Sequence, residues 1–497
     1  MNKIIKKLLS LVMALALVLS LCACNGGDES VAGGEGTDKF VKLVMYLIGE
    51  KPNDYEKALG KLNELIKEDL NAELEVRWMS WGDYSKKYPV LMSSGESFDL
   101  IYSVDWINYE GYAQMGAFKD ITELLPKFAP KSYEALQKEM LDNVRVDGKL
   151  YALPSNSLEI NPGGYVVRGD LMDKYGMDSI DSFDDFMDYL KAVKENEDIM
   201  PINASPTDTL FEFPWETVGI GQIAYDYTKD DSEELFYRYE QPEYLHVLER
   251  MREGYENGYW SKDVLMNKLS SKEAFLNGTS AAATSNLKNF SDLVAKAKTA
   301  NPTYDPRWYP KNPNVENSLL VAGAYMSVGS TSKNPERAIM LLERLNTDAR
   351  YYNLTTYGIE GEHYIINSDG KREFPEGVTM ENTGFAPNLA GNWGWNSDVL
   401  NIDSVETWEG EAIYRNKIAE NGKWSAYLGF VFDRTKVENE IAAISSVATQ
   451  YGQPLEWGMV DTEEGLETLK KQYKAAGIEK VMEEAKAQAK EYLNSQE

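Results

Sequence analysis

The sequence predicts an α/β protein in which strands and helices alternate and the strands form a mostly parallel sheet. Residues 40–48 form an apolar run typical of a buried strand, and residues 72–79 alternate strictly between apolar and polar side chains. Amphipathic helices are predicted over residues 54–69 and 83–92, and a short apolar strand over residues 98–103. Strands joined through helices form right-handed βαβ units, which favour parallel pairing.

Shorter signals extend this pattern along the chain. Asp147 and Gly148 separate two short apolar segments, which predicts a two-residue hairpin turn. Ser182 precedes a helical pattern as a cap, and the small residues 280–285 predict a strand that leads into Asn286. From Asp461 onward the spacing of apolar residues predicts a helical C-terminal part.

The first residues carry the pattern of an export signal. A short basic segment precedes the apolar run 8–21, which at about fourteen residues is too short to span a membrane. Leu21-Cys22-Ala23-Cys24 resembles the lipobox of bacterial lipoproteins. This resemblance implies a cleaved signal peptide over residues 1–23, an acylated (palmitate-bearing) Cys24, and a Gly-rich acidic tether over residues 24–39. The alternative is ordinary secretion with Cys24 as a free thiol.

The composition excludes several classes of function. Eighty acidic and 51 basic residues give a net charge of −29, which repels phosphate backbones, so we expect no nucleic-acid partner. Two histidines and two cysteines leave little material for a His-dependent triad, a multi-His metal site or a disulfide. The 31 tyrosines and 11 tryptophans exceed what a core of this size requires, which indicates a recognition surface.

Two polar segments contain enough oxygen ligands to suggest calcium. These are the set Asp226, Asp230 and Asp231 and the pair Asn367 and Asp369. Neither matches the EF-hand loop pattern, so we expect solvated turns, no bound metal and no cofactor.

Several short segments, in their order and spacing, resemble the extracellular solute-binding proteins of ABC importers, the sugar-binding family that includes maltose-binding protein. The segments are 98–101 with Trp106, 116–122, 147–154, 174–186, 273–283 and 334–338. The stretches 357–364 and 454–478 resemble more narrowly a lipoprotein subgroup found beside oligosaccharide importers in Gram-positive bacteria.

This resemblance implies two α/β lobes joined by a hinge that close over a ligand. The first lobe is expected to hold residues 40–153 with about 326–366, and the second residues 154–325 with about 367–497. The implied function is a monomeric, lipid-anchored receptor on the outer face of the cell membrane. It would capture an oligosaccharide and deliver it to the permease of an ABC importer without changing it chemically.

Two other functions remain open from the sequence. A receptor for peptides or for acidic oligosaccharides such as aldouronates would keep the fold and change the ligand. An acidic ligand would require a basic residue in the cleft, for which Arg145, Arg168 and Arg307 are candidates. An exported glycoside hydrolase would require two carboxylates about 5–9.5 Å apart.

Candidate binding residues follow from the predicted strand ends, where ligands bind in open α/β sheets. Trp81 and Asp83 come after the second strand, and Ser103, Asp105 and Trp106 end or follow the third. An indole can cover the apolar face of a pyranose, while carboxylates accept hydrogen bonds from its hydroxyl groups.

Further candidates come from loops, strand ends and resemblance. Trp215 lies in a segment, residues 213–216, that resembles the stretch stacking on sugar in this family. Each of these residues could instead belong to the core or cap a helix. The remaining candidates are Asn286 at a strand end, Trp393 and Trp395 in a Gly-broken loop, Glu360, and with less support Glu159 and Trp260.

Overall fold

The computed structural model describes residues 37–229, 231–380, 382–385 and 392–496. The predicted signal peptide, Cys24 and most of the tether lie outside these residues. In chain order the strands are β1 (Val41–Ile48), β2 (Ala72–Met79), β3 (Leu100–Ser103), β4 (Arg145–Val146), β5 (Lys149–Leu150), β6 (Ala152–Pro154), β7 (Gly163–Arg168), β8 (Met200–Ile202), β9 (Trp215–Thr217), β10 (Ile223–Asp226), β11 (Phe236–Tyr237), β12 (Ser280–Asn286), β13 (Pro306–Pro310), β14 (Leu319–Leu320), β15 (Tyr325–Val328), β16 (Ile365–Ile366), β17 (Arg372–Glu373) and β18 (Lys423–Trp424).

The α-helices connect and cover these strands. They are α1 (Tyr55–Leu70), α2 (Tyr84–Ser94), α3 (Tyr109–Gln114), α4 (Leu125–Phe128), α5 (Pro130–Ala135), α6 (Lys138–Asn143), α7 (Gly169–Tyr175), α8 (Phe183–Asn196), α9 (Pro242–Asn257), α10 (Ser271–Leu276), α11 (Leu287–Ala300), α12 (Pro335–Thr347), α13 (Ala349–Thr356), α14 (Glu409–Asn421), α15 (Glu438–Val447), α16 (Gln453–Glu456), α17 (Thr462–Ala475) and α18 (Ile478–Gln496).

The first sheet has the strand order β2-β1-β3-β15-β6 and defines the first lobe. β1 pairs with both β2 and β3 in parallel, as the alternation of strands and helices predicts. Leu43, Met45 and Leu47 of β1 are buried against Leu62 and Ile66 of α1 in one core. Burying such a side chain contributes about 1.5–3 kcal/mol. The packing of α1 on β1 therefore stabilises the sheet in which β2 and β3 flank β1.

The second sheet has the order β13-β7-β12-β8 and defines the second lobe. β7 is antiparallel to both β12 and β13, so the expectation of mostly parallel pairing is wrong for this sheet. β12 does pair in parallel with β8, to which it is connected through helices, whereas β7, β12 and β13 lie far apart in the sequence and pair in an antiparallel manner. A Cβ at Gly164 would lie 2.1 Å from the Trp308 ring, so glycine lets that indole pack directly on the sheet.

The C-terminal helices pack on the antiparallel strands β9 to β11 and on α9. Leu469, Val481 and Ala485 are buried in the core that joins them. The predicted cap at Asp461 is confirmed, since its carboxylate accepts the backbone N–H of Glu464 at 3.0 Å. The helical C-terminal part is therefore built onto the second lobe.

The predicted hairpin at Asp147 and Gly148 is also confirmed. β4 and β5 pair in an antiparallel manner around these two residues, whose φ angles are 50° and 76°. Positive φ at both central positions is the geometry that a two-residue hairpin of this kind requires.

Candidate functional site

Three tryptophans meet at the carboxyl edge of the first sheet. Trp81 follows β2, Trp106 lies in the turn Asp105–Ile107 after β3, and Trp393 lies in the turn Asn392–Trp395. The Trp81 ring centroid is 5.5 Å from that of Trp393 and 6.2 Å from that of Trp106. We call these three residues the indole cluster. The parallel pairing of the strands brings Trp81 and Trp106 to the same edge, as the sequence suggested.

Two tyrosines pack against the indole cluster. Tyr84 makes edge contacts with Trp81 and Trp106, with ring centroids 5.7 and 5.8 Å apart. The buried Tyr102 lies 6.4 Å from Trp106 and 6.3 Å from Trp393. Trp106 remains 51% exposed and Trp81 38% exposed. Exposed aromatic surface that is supported by packed neighbouring side chains is a feature of binding sites.

Asp105 supplies a carboxylate directly beside the indole cluster. Its Oδ1 accepts the backbone N–H of Trp106 at 2.8 Å. Burial raises the pKa of the Asp105 carboxyl, the Trp106 hydrogen bond opposes this shift, and the charge of Glu159 adds to it. Asp105 remains reachable by solvent although protein surrounds it, which is the environment of a cleft. Such a carboxylate can accept hydrogen bonds from ligand hydroxyl groups.

The edge of the second sheet contributes polar residues to the same region. Glu159 lies close enough to the first lobe for its charge to raise the pKa of Tyr102 as well as that of Asp105. Lys288 Nζ binds Glu159 Oε2 at 3.1 Å. Asn286 ends β12 with an exposed side chain that makes no capping hydrogen bond to α11. The second lobe therefore carries polar side chains at this end of β12.

Trp215 belongs to a different aromatic group, on β9. Its ring stacks on Phe213 at 4.1 Å with an angle of 10° between the planes, and Phe236 contacts it edge-on at 5.4 Å. The indole is half-buried, so part of it stays accessible on the second lobe.

The structure does not support Trp395 as a stacking residue. Its indole is 2% exposed, and Nε1 donates to Thr355 Oγ1 at 3.0 Å inside the first core. Trp393 and Trp395 are two residues apart in a 3₁₀ turn, which directs them to different sides. Gly394 between them packs so closely that a Cβ would lie 2.4 Å from Met326 Sδ.

Ser103 and Trp260 are also core residues. Ser103 is fully buried at the end of β3, with its Oγ 3.3 Å from the Tyr88 hydroxyl. Trp260 is 1% exposed in the core of the second lobe. Burial removes both side chains from contact with a ligand in this conformation, so their proposed roles in binding are not supported.

Asp83 and Glu360 lie at the surface. Asp83 precedes α2 and binds Lys87 at 2.8 Å, and this ion pair lowers the pKa of the Asp83 carboxyl. Its neighbour Tyr84 is the residue that braces the indole cluster. Glu360 lies in the loop between α13 and β16, where it forms a backbone bridge to Tyr364.

The two segments considered for calcium form turns. Asp226 Oδ1 accepts from the backbone and hydroxyl of Thr228, and Asn367 Oδ1 accepts from the backbone N–H groups of Asp369 and Lys371. Asp230 lies outside the described residues. Across the part of the chain that the structure describes, no group of three or more His, Cys, Asp or Glu side chains is arranged to hold a metal ion.

Sequence reasoning missed Tyr84, Tyr102 and Lys288. Tyr102 belongs to β3, and a strand pattern alone does not separate a tyrosine that supports a site from a core tyrosine. Lys288 could have been suggested by its position two residues after the strand end at Asn286.

A cavity of about 440 Å³ lies between residues 217–222 and the C-terminal helix α15. Its lining contains Thr217, Gln222 and Arg434 and lacks the aromatic surface of the indole cluster. No helix among the described residues is long and apolar enough to cross a membrane.

Comparison with known proteins identifies related sequences over most of the chain. The family model described as bacterial extracellular solute-binding protein matches residues 54–349, and a domain of unknown function, DUF3502, matches residues 426–494. A carbohydrate ABC transporter substrate-binding protein of Streptococcus pneumoniae is 29% identical, covering 97% of each chain. The polygalacturonan/rhamnogalacturonan-binding protein YtcQ of Bacillus subtilis is 22% identical over 73% of this chain and 75% of its own.

Solved structures show the same fold. The N-glycan transport solute-binding protein NgtS of Streptococcus pneumoniae, at 25% identity, gives a TM-score of 0.78 and covers 92% of this chain and 100% of its own. Its complex with Man1GlcNAc, at 25% identity, gives 0.72 over 91% of this chain and 100% of its own. Its complex with Man5GlcNAc, at 26% identity, gives 0.69 over 92% of this chain and 99% of its own.

The expected α/β fold of two lobes with a helical C-terminal part is confirmed by these neighbours and by the two sheets. The family match covers more than half of the sequence. The chain belongs to the bacterial extracellular solute-binding protein family.

Proposed function

We propose that this protein captures an oligosaccharide outside the cell and delivers it to the permease of an ABC importer. The observation that carries the proposal is the exposed indole cluster beside Asp105, at the sheet edge where α/β folds bind ligands. A pyranose ring offers an apolar face to an indole and hydroxyl groups to a carboxylate, so this pair of groups suits a sugar. The likeness to carbohydrate-binding relatives supports the same conclusion.

The ligand would be held between two lobes that close on it. We place residues 40–153 with about 326–366 in the first lobe and residues 154–325 with about 367–497 in the second, with the exception of the turn Asn392–Trp395, which packs in the first core. Tyr325 of β15 pairs with Pro154 of β6, which puts the two predicted lobe crossings side by side, as a hinge requires.

On the second lobe, Trp215 and Asn286 would complete the site once the lobes close. Both lie on that lobe with accessible side chains. Glu159 and Lys288 would reach the same ligand from the edge that already faces Asp105.

Capture would occur at the membrane surface through a lipid on Cys24. Two or three acyl chains hold a protein far more durably than one, and the tether would let the folded body reach its permease. Cys24→Ser should release the protein from membranes without changing its melting temperature. A Cys24→Ser protein that resists a salt and carbonate wash would contradict the lipid anchor.

The ligand itself can be found by a thermal-shift screen of the soluble body, residues 37 onward, against a panel of oligosaccharides that includes Man1GlcNAc and Man5GlcNAc. A ligand at one hundred times its Kd adds about 2.7 kcal/mol of stability to a single-site protein. We expect at least one oligosaccharide to raise the Tm and to remain intact by mass spectrometry. Cleavage of the bound sugar would instead support a hydrolase.

A further inference from the structure

Three carboxylates lie within electrostatic range of one another beside the indole cluster. The charge of Glu159 raises the pKa of Asp105, and the charge of Asp105 in turn raises the pKa of Glu110 on α3. Burial contributes most to both shifts, and the repulsion between these carboxylates adds to it. This edge of the protein therefore carries concentrated negative charge.

The cations near these carboxylates do not offset that charge. Lys288 is bound to Glu159 at 3.1 Å, and it also lies near Glu411, whose carboxylate accepts a hydrogen bond from Ser291 at 3.3 Å. The charge of Arg434 lowers the pKa of Glu110. Arg415 also acts on Glu411, so the four carboxylates named in this region outnumber three cations.

The arginines suggested by the sequence for an acidic ligand are each engaged by a carboxylate. Arg145 Nε lies 3.2 Å from Asp142, and Arg307 binds Asp173 at 2.8 Å. Arg168 binds Asp170 at 2.5 Å and lies over the ring of Tyr304. Each of the three guanidinium groups therefore already has its charge offset by a neighbouring carboxylate.

We propose that the site at the indole cluster selects uncharged oligosaccharides and excludes anionic ones, with Asp105 as the residue that determines this specificity. This inference rests on the proposed function. A neutral sugar can donate hydroxyl hydrogen bonds to Asp105 while its ring covers an indole. A uronate would place a like charge beside Asp105, and like charges placed next to each other oppose binding.

Selection of this kind is a property of the residues and not of the fold. YtcQ, named for polygalacturonan, shares sequence with this chain, and so does NgtS of Streptococcus pneumoniae, which was solved in complex with the neutral glycan Man5GlcNAc. The choice between neutral and acidic sugars must therefore be made by side chains at the site.

A matched pair of ligands tests the proposal. Man5GlcNAc is compared by isothermal titration calorimetry with the same glycan oxidised at C6, so that one primary alcohol becomes a carboxylate. A tri-galacturonate serves as a second anionic probe. We expect roughly tenfold or greater preference for the neutral glycan at low ionic strength, and a smaller preference as salt screens the repulsion.

Two variants assign the preference to Asp105. Asp105→Asn should weaken binding of the neutral glycan. It should also bring the affinities for the neutral and the anionic glycan closer together. Glu456→Gln removes a similarly desolvated carboxylate from the C-terminal helical part and should leave the ratio unchanged. Melting temperatures of both variants show whether each remains folded.

The possible outcomes separate this inference from the proposed function. Equal or tighter binding of an anionic probe overturns the selectivity while leaving oligosaccharide capture intact. An unchanged ratio in folded Asp105→Asn overturns the role of Asp105. If the wild-type protein binds none of the three probes or the wider neutral panel, the proposed function fails and the inference fails with it.

Discussion

Asp105-Trp106 and Glu456-Trp457 are two acidic–tryptophan dipeptides in different structural settings. Burial raises the pKa of both carboxyls. Glu456 accepts the Tyr244 hydroxyl at 2.7 Å, and Trp457 is 7% exposed with an edge contact to Trp260 at 6.0 Å. Trp106 is instead 51% exposed, and Asp105 faces the charge of Glu159.

The difference indicates which dipeptide holds the fold and which binds a ligand. The C-terminal pair is covered and its carboxylate has a tyrosine donor, so its residues stabilise the junction of α9 and α16. The pair at the indole cluster leaves apolar surface open and holds a carboxylate of raised pKa near the charge of Glu159. A protein keeps such an unfavourable arrangement where function requires it.

The largest expected effect is on the buried indole of the C-terminal pair. Trp457→Ala removes a core side chain and should lower the free energy of unfolding by about 3–5 kcal/mol. Urea unfolding followed by circular dichroism measures the loss. Affinity for sugar, measured on the fraction that remains folded, should be preserved. A loss below about 1 kcal/mol would contradict a core role for Trp457, because substitutions at the surface typically have effects of that size.

Neutralising the carboxylate at the indole cluster should have opposite effects on stability and binding. Asp105→Asn removes repulsion from Glu159, so the ligand-free protein should melt at a higher temperature. Hydrogen bonds to charged groups contribute about 1.5–3 kcal/mol, so sugar affinity should fall roughly tenfold or more. Both expectations are checked on one preparation, with the melting temperature measured by differential scanning calorimetry and the sugar affinity by isothermal titration calorimetry. Lower stability together with unchanged affinity would mean that Asp105 is structural.

The smallest effect is expected at Glu456 and depends on pH. Burial raises its pKa in the folded state above the unfolded value, so its contribution to stability is present at acidic pH and lost as pH rises through the folded pKa. Glu456→Gln resembles the protonated form and can still accept from Tyr244. The difference in Tm between the variant and the wild type should grow in favour of the variant as pH rises from 5 to 8. Exposed Glu467→Gln is the control, and a gain that grows toward acidic pH would contradict the assignment.

The fold was largely predictable because strand and helix periods are local features of the sequence. The alternation in residues 72–79 matches β2 in its bounds, and Asp147 with Gly148 fixed the hairpin. Antiparallel pairing of β7 with β12 was not predictable, since it depends on contacts between distant segments.

The site was only partly predictable for the same reason. Trp81 and Trp106 follow neighbouring parallel strands, so their proximity follows from topology. Trp393 lies in a turn that is distant in sequence from Trp81. Only the packing of that turn against Met326 distinguishes Trp393 from the buried Trp395.

The measurement that tests the account most directly is sugar affinity of Trp106→Ala, taken together with its melting temperature. Truncating a stacking indole removes about 2 kcal/mol or more of binding energy, roughly thirtyfold in Kd. We predict this loss by isothermal titration calorimetry, with a Tm close to that of the wild type because Trp106 is half exposed. Wild-type affinity in a folded Trp106→Ala protein would contradict the placement of the binding site at the indole cluster.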